Sequence, residues 1–177
     1  MRERILVRKE HRISLVLGGA RSGKSRIAES IVTTYPKPWL YLATGRAFDQ
    51  EMQDRIVLHQ QAREVGWQTF EEPFHIAQVL NENLHQPILV DCLTLWLTNL
   101  LLEEKDVHAE TTKLLEAVQK RSGPTVFVGN EVGLSIVPEN RLVRRFRDEA
   151  GLLHQKIGSI ADQVLFVAAG FPITLKS

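Results

Sequence analysis

Gly18-Gly19-Ala20-Arg21-Ser22-Gly23-Lys24-Ser25 is the stretch that decides the fold. Its spacing, Gly18-x-x-x-x-Gly23-Lys24-Ser25, is that of a Walker A loop. The flanks agree with this. Residues 13–17 ahead of it form a continuous apolar run, and Ile27, Ala28 and Ile31 behind it recur at helical spacing. A strand that feeds a glycine-rich turn and then a helix directs successive backbone N–H groups, and the positive helix end, at one anion. In such a loop Lys24 reaches the β- and γ-phosphates of ATP or GTP, and the Ser25 hydroxyl ligates Mg²⁺.

Working outward, apolar runs at 39–43, 88–90, 125–129 and 164–168 repeat the character of 13–17. Each is nearly continuous, as expected of strands covered on both faces. Between them lie helix-length segments at 24–34, 49–65, 94–104, 109–121 and 139–160. This alternation predicts an α/β fold of the P-loop NTPase-like kind: a mainly parallel sheet flanked by helices, in a single domain. In the last helix Leu142, Phe146, Ala150, Leu153, Ile157 and Ile160 form a core-facing stripe, with Pro138 at its start. Gly170-Phe171-Pro172 reads as a turn into a short final strand at 173–175. The domain is expected over 13–177, with 1–12 as an N-terminal extension.

Composition sets the limits. A chain of 177 residues is large enough for a proper core. A formal charge of +1 gives no reason to expect a nucleic-acid or membrane-surface partner. The lone cysteine, Cys92, excludes a disulfide framework and reads as a small core residue. The charged N-terminus lacks a secretory signal and no apolar run is long enough to span a bilayer, so a cytoplasmic enzyme without membrane insertion is expected.

Beyond the loop, Asp91 follows the apolar run 88–90 and is the candidate Walker B acid, a second Mg²⁺ ligand beside Ser25. The bland alternative is a strand-end turn aspartate. Within 49–65, with Asp49 as a candidate N-cap, Arg55, His59 and Arg63 fall at i, i+4 and i+8 and share a face with Met52 and Ile56. A neutral imidazole between guanidinium groups is a candidate nucleophile toward phosphate. A satisfied surface or core histidine is the competing account. Arg141, Arg144, Arg145 and Arg147 read either as a solvated charged face or as contacts to phosphate or another subunit.

Five stretches carry a family resemblance: GGARSGKSRIAE at 18–29, YLATG at 41–45, DQEMQDRIVLHQQAREVGWQTFEEP at 49–73, LVDCLTLWLTNLL at 89–101 and NEVGLSIVPENRLVRRFRDEAGLLHQ at 130–155. Together they resemble the bifunctional adenosylcobinamide kinase / adenosylcobinamide-phosphate guanylyltransferase family of cobalamin biosynthesis. Only the first dozen residues fall outside the match. The resemblance implies two reactions: a nucleoside triphosphate, ATP or GTP, phosphorylates adenosylcobinamide, and GMP from GTP then passes through a histidine to the cobinamide phosphate. The family's histidine falls on His59. Catalysis is therefore expected from His59 and Lys24. Nucleotide contacts are implied at the P-loop, at Ala43, Thr44 and Gly45, at Gln60, Gln61, Ala62 and Arg63, at Glu71 and at Asp91. A homotrimer is implied as well. The competing activity is a monofunctional P-loop kinase without guanylyl transfer.

Overall fold

The computed structural model describes residues 11–46 and 65–177, and the structural statements below concern those residues. The elements in chain order are β1 (Ile13–Gly18), α1 (Lys24–Val32), β2 (Trp39–Ala43), β3 (Trp67–Glu71), α2 (Ile76–Glu82), β4 (Ile88–Asp91), α3 (Leu93–Leu102), α4 (Val107–Lys120), β5 (Thr125–Asn130), α5 (Arg141–Ile160), β6 (Gln163–Ala168) and β7 (Phe171–Lys176). The seven strands form one sheet in the order β3-β2-β4-β5-β1-β6-β7. All neighbours are parallel except β6 and β7, which form an antiparallel hairpin.

The apolar runs explain this arrangement. β1 is buried along its whole length, and its successive residues enter two different cores. Leu15, Leu17, Leu42, Val90 and Phe127 pack with apolar side chains of α2, α3, α4 and α5. Val16, Leu89, Val126 and Val128 pack with Ile27, Ala28 and Ile31 of α1. Strand alternation sends neighbouring residues to opposite faces, so a strand with helices on both sides must be apolar throughout.

Away from the P-loop, the buried Arg121 joins the ends of several elements. Its guanidinium donates to the carbonyls of Leu80 (3.3 Å), Asn83 and Gln86 (2.5 Å), while Nε donates to Thr125 Oγ1 (2.9 Å). Burial, and then the neighbouring Arg12, lower its pKa to about 10. It therefore stays charged at neutral pH and satisfies carbonyls that α2 and the following loop leave open. Arg12 in turn donates to the carbonyls of Val118 (3.2 Å) and Arg121 (2.5 Å), fastening the end of the N-terminal extension to α4.

Several boundaries differ from the sequence expectation. β3 and α2 are additional elements. Val65, expected to end a helix, stands in a turn with Gly66, while 49–64 lies outside the described residues. The last helix starts at Arg141, because Asn140 caps it by accepting from the N–H groups of Leu142 and Val143 (2.8 and 3.3 Å). Pro138 thus precedes the cap. Leu142 is 51% exposed, so the apolar stripe contributes to the core from Phe146 onward. The final turn is Ala169-Gly170, and β7 already includes Phe171 and Pro172. Pro172 is tolerated there because β7 is an edge strand.

Candidate active site

The P-loop leaves the carboxyl end of β1 in the middle of the sheet. A side chain on Gly18 would collide with the Val167 carbonyl, and Gly23 holds φ +93°, so both positions require glycine. Arg21 also sits at positive φ, 54°. Lys24 is buried, and its Nζ donates to the Gly19 carbonyl at 3.0 Å, which keeps the ammonium inside the arc of the loop. It makes no ion pair among the described residues. The Ser22 hydroxyl is buried beneath the loop without a hydrogen-bond partner. Ala20 lies exposed at the outer bend, and Ser25 is half-buried at the helix start. The β6–β7 turn braces the loop from the side, with Gly170 N–H donating to the Ser22 carbonyl at 2.8 Å.

Strand register carries the other expected residues to the same edge. Ala43 lies opposite both Glu71 on β3 and Asp91 on β4. With neighbouring strands about 4.8 Å apart, Asp91 lies about 10 Å from the Gly18 strand and Glu71 about 19 Å. Asp91 is thus within reach of phosphate oxygens held by the loop. Glu71, exposed, stands two strands beyond Asp91 on the edge strand β3. Gly45 is half-buried, and a side chain there would meet Leu95. His59, Gln60, Gln61, Ala62 and Arg63 lie outside the described residues, as do Arg55, Met52 and Ile56. β2 ends at Ala43, on the P-loop edge of the sheet, and β3 begins at Trp67.

Two positioning devices were not legible in the motifs. The Tyr41 hydroxyl donates to Asp91 Oδ2 at 2.8 Å, fixing one carboxylate oxygen. Thr44 is fully buried and spends its hydroxyl on Cys92: Oγ1 accepts from the Cys92 N–H (2.8 Å) and donates to the Cys92 carbonyl (2.7 Å). Thr44 N–H donates to the Asp91 carbonyl at 3.1 Å, and Asn99 Nδ2 donates to the Thr44 carbonyl at 2.8 Å. The geometry therefore gives the Thr44 side chain the task of tying β2 to β4 beside Asp91. A polar Asn99 inside the apolar run LTLWLTNLLL was the available signal.

Cys92 caps α3, its sulfur accepting from Leu95 N–H at 3.5 Å. Burial, then the adjacent Asp91 carboxylate, pushes its thiol up to about 11, with Lys24 acting weakly in the opposite sense. It stays a protonated core thiol, and the Lys24 and Asp91 charges both act on it from the site. Among the described residues no three His, Cys, Asp or Glu side chains gather as a metal cage. Ser25 and Asp91 instead offer two hard oxygen donors beside a phosphate cradle. That set suits Mg²⁺, which takes few protein ligands and completes its shell with water and phosphate oxygens.

The arginines of α5 have separate fates. Arg144 Nη1 donates to the carbonyls of Pro138 (2.9 Å) and Glu139 (2.5 Å), and Arg147 pairs with Asp148 at 3.1 Å. Arg141 and Arg145 are exposed and make no ion pair among the described residues. No helix among the described residues is long and apolar enough to cross a membrane.

Comparison with known proteins agrees with this geometry. A family model described as cobinamide kinase / cobinamide phosphate guanyltransferase matches residues 14–175. The bifunctional adenosylcobalamin biosynthesis protein CobP of Pseudomonas aeruginosa is 45% identical over 166 residues, covering 92% of this chain and 96% of that protein. The bifunctional adenosylcobalamin biosynthesis protein CobU of Salmonella typhimurium is 38% identical over 179 residues, covering 92% and 98%. Among solved structures, a Pyrococcus horikoshii OT3 protein superimposes with a TM-score of 0.50 at 12% identity, covering 94% of this chain and 86% of that one. That likeness concerns the fold alone.

Proposed function

Because the chain belongs to the cobinamide kinase / cobinamide phosphate guanyltransferase family, we propose that it carries out both reactions: phosphorylation of adenosylcobinamide with ATP or GTP, then guanylyl transfer from GTP to give adenosylcobinamide-GDP. The observation that carries the reading is the full-length match to bifunctional relatives, joined to a P-loop with Lys24 at its centre and Asp91 two strands away. The full set of P-loop residues from Gly18 to Ser25, together with Ala43, Gly45, Glu71, Asp91 and the segment Gln60 to Arg63, is assigned to nucleotide binding. Thr44 serves the same site by holding its neighbours.

In the kinase step the terminal hydroxyl oxygen of cobinamide attacks the γ-phosphorus and its proton passes to solvent, while the bond to the β-γ bridging oxygen breaks with its electron pair going to the departing nucleoside diphosphate. Backbone N–H groups of the loop and Lys24 hold and neutralise the phosphates, which is the main protein contribution in such transfers. In the guanylyl step an imidazole nitrogen of His59 attacks the α-phosphorus and pyrophosphate leaves. A cobinamide phosphate oxygen then attacks that phosphorus, the P–N bond breaks, and the nitrogen takes back its electron pair. Ser25 and Asp91 would hold Mg²⁺, which supplies charge neutralisation on phosphate oxygens when bound.

The assembly proposed is a homotrimer, and the exposed apolar row Phe171, Ile173 and Leu175 on β7 is a described surface suited to a subunit contact. Two readouts test the chemistry. Incubation with GTP labelled at the α-phosphate should leave an acid-labile, base-stable label on the protein that His59→Ala abolishes. Incubation with adenosylcobinamide and GTP should yield the phosphate and then the GDP derivative by mass spectrometry. Phosphate formation with no protein label and no GDP derivative would reduce the enzyme to a kinase.

A further inference from the structure

The connection from β5 to α5 exposes an apolar cluster that the nucleotide chemistry does not use. Leu134 is 83% exposed, Ile136 94%, Val137 62% and Leu142 51%, all within nine residues of sequence. Scattered exposed apolar residues are ordinary, but a concentrated group marks a contact surface. Arg141 and Arg145 stand in the same stretch, exposed and without ion pairs among the described residues.

The position of this stretch matters. Asn130, where it begins, lies opposite Gly18 in the β1–β5 register, and Glu131 N–H donates to the Gly18 carbonyl at 3.0 Å. From Asn130 to Ile136 the chain can extend no more than about 21 Å. The far end is folded back rather than left loose: Arg144 holds the Pro138 and Glu139 carbonyls, and Asn140 caps α5. The stretch that bears these exposed apolar residues, and two guanidinium groups without ion pairs among the described residues, therefore starts from the P-loop edge of the sheet, on the β5 side of Gly18.

We infer that this segment is the corrinoid seat, with Leu134, Ile136, Val137 and Leu142 receiving the apolar face of the macrocycle while Arg141 and Arg145 meet the phosphate on its aminopropanol arm; the inference rests on the two-step reading above. The charge complementarity favours this occupant. A phosphate brings two negative charges to two arginines that make no ion pair among the described residues, whereas a second copy seated here would have to supply acids of its own to them. Cobinamide is also the acceptor whose hydroxyl, and then phosphate, must come to the loop edge.

The test measures equilibrium binding of adenosylcobinamide and of its phosphate by visible absorbance after dialysis, on the full chain. Leu134→Ser combined with Ile136→Ser should weaken both ligands at least tenfold. Arg141→Gln combined with Arg145→Gln should weaken the phosphate at least tenfold and the unphosphorylated form by less than twofold. Thermal melts check that each variant is folded, as exposed positions allow. Unchanged corrinoid affinity in both double variants overturns the assignment while leaving the bifunctional reading standing. Loss of oligomeric mass in the Leu134/Ile136 variant, with corrinoid affinity retained, identifies the surface as a subunit contact and also overturns it. If the unmodified protein binds neither corrinoid, the seat and the bifunctional reading fall together; GTP labelling of His59 would then separate a surviving nucleotidyl transfer from a failed substrate.

Discussion

His154 on α5 faces Gly129 on β5, where an added side-chain carbon would lie 2.5 Å from its Nε2. That nitrogen is buried without a hydrogen-bond partner. Burial lowers the pKa below 6.5, with the Glu131 carboxylate partly opposing it. The sign follows from linkage. The unfolded chain binds a proton near pH 6.5 while the folded one resists it, so the stability contributed by this group is complete above 6.5 and is lost as pH falls through the folded value. Urea unfolding should therefore give a midpoint that declines below pH 6.5, with a slope from this residue of at most about 1.4 kcal/mol per pH unit. His154→Leu should flatten that decline between pH 6.5 and 5 without lowering stability at pH 7.5. Parallel pH curves for the two proteins would remove His154 from the account. Helical periodicity puts this histidine beside the apolar stripe, four residues after Ala150 and three before Ile157, but its burial shows only once the strand it packs on is known.

Among the elements, the ends of β2 and β4 are joined more firmly than strand pairing requires. Thr44 meets Cys92 through two hydrogen bonds and Asn99 meets Thr44 and Pro73, so α3 is locked to the edge that carries Asp91. Thr44→Val keeps the shape but leaves the buried Cys92 N–H unpaired, a cost of about 1–3 kcal/mol. Denaturant melts should show that loss, and steady-state assays a raised KM for the metal–nucleotide complex, both largely restored in Thr44→Ser. A Val variant as stable as the parent would contradict the clamp. The same elements show what was readable in advance. β1, β2, β4, β5 and β6 were visible as apolar runs because helices cover both their faces. β3 was not, since its WQTFE is an edge strand with four of five residues exposed. α2, with seven residues, is too short to display a period. Cys92 is an uncommon helix cap, so α3 was expected to start one residue late. The P-loop and Asp91 were legible because their chemistry depends on local spacing; Tyr41 and Thr44 act across strands, which only the sheet order brings together.

For the molecule as a whole, the two sheet edges differ. β3 shows solvent mostly polar side chains, whereas β7 presents Phe171, Ile173 and Leu175, exposed by 71%, 54% and 61%, along one face of an edge strand. An uncovered edge of this kind exposes unpaired backbone groups next to apolar side chains, a combination that folded proteins blunt or bury. In a closed three-fold ring the contact is heterologous, so the row must meet a different patch on the neighbouring copy rather than itself. One charge placed in that row would be desolvated in every interface of the ring at once, while the hairpin itself, already exposed there, loses little. Light scattering coupled to gel filtration should therefore return about 60 kDa for the unmodified protein, three chains of 20.1 kDa, and about 20 kDa for Ile173→Glu with its thermal melt nearly unchanged. A trimer that survives Ile173→Glu would place the contact elsewhere, and a monomeric parent protein would remove the trimer itself. Because the β6–β7 turn reaches the P-loop through the Gly170–Ser22 hydrogen bond, dissociation should also loosen the loop, so the monomeric variant should bind nucleotide more weakly than the trimer.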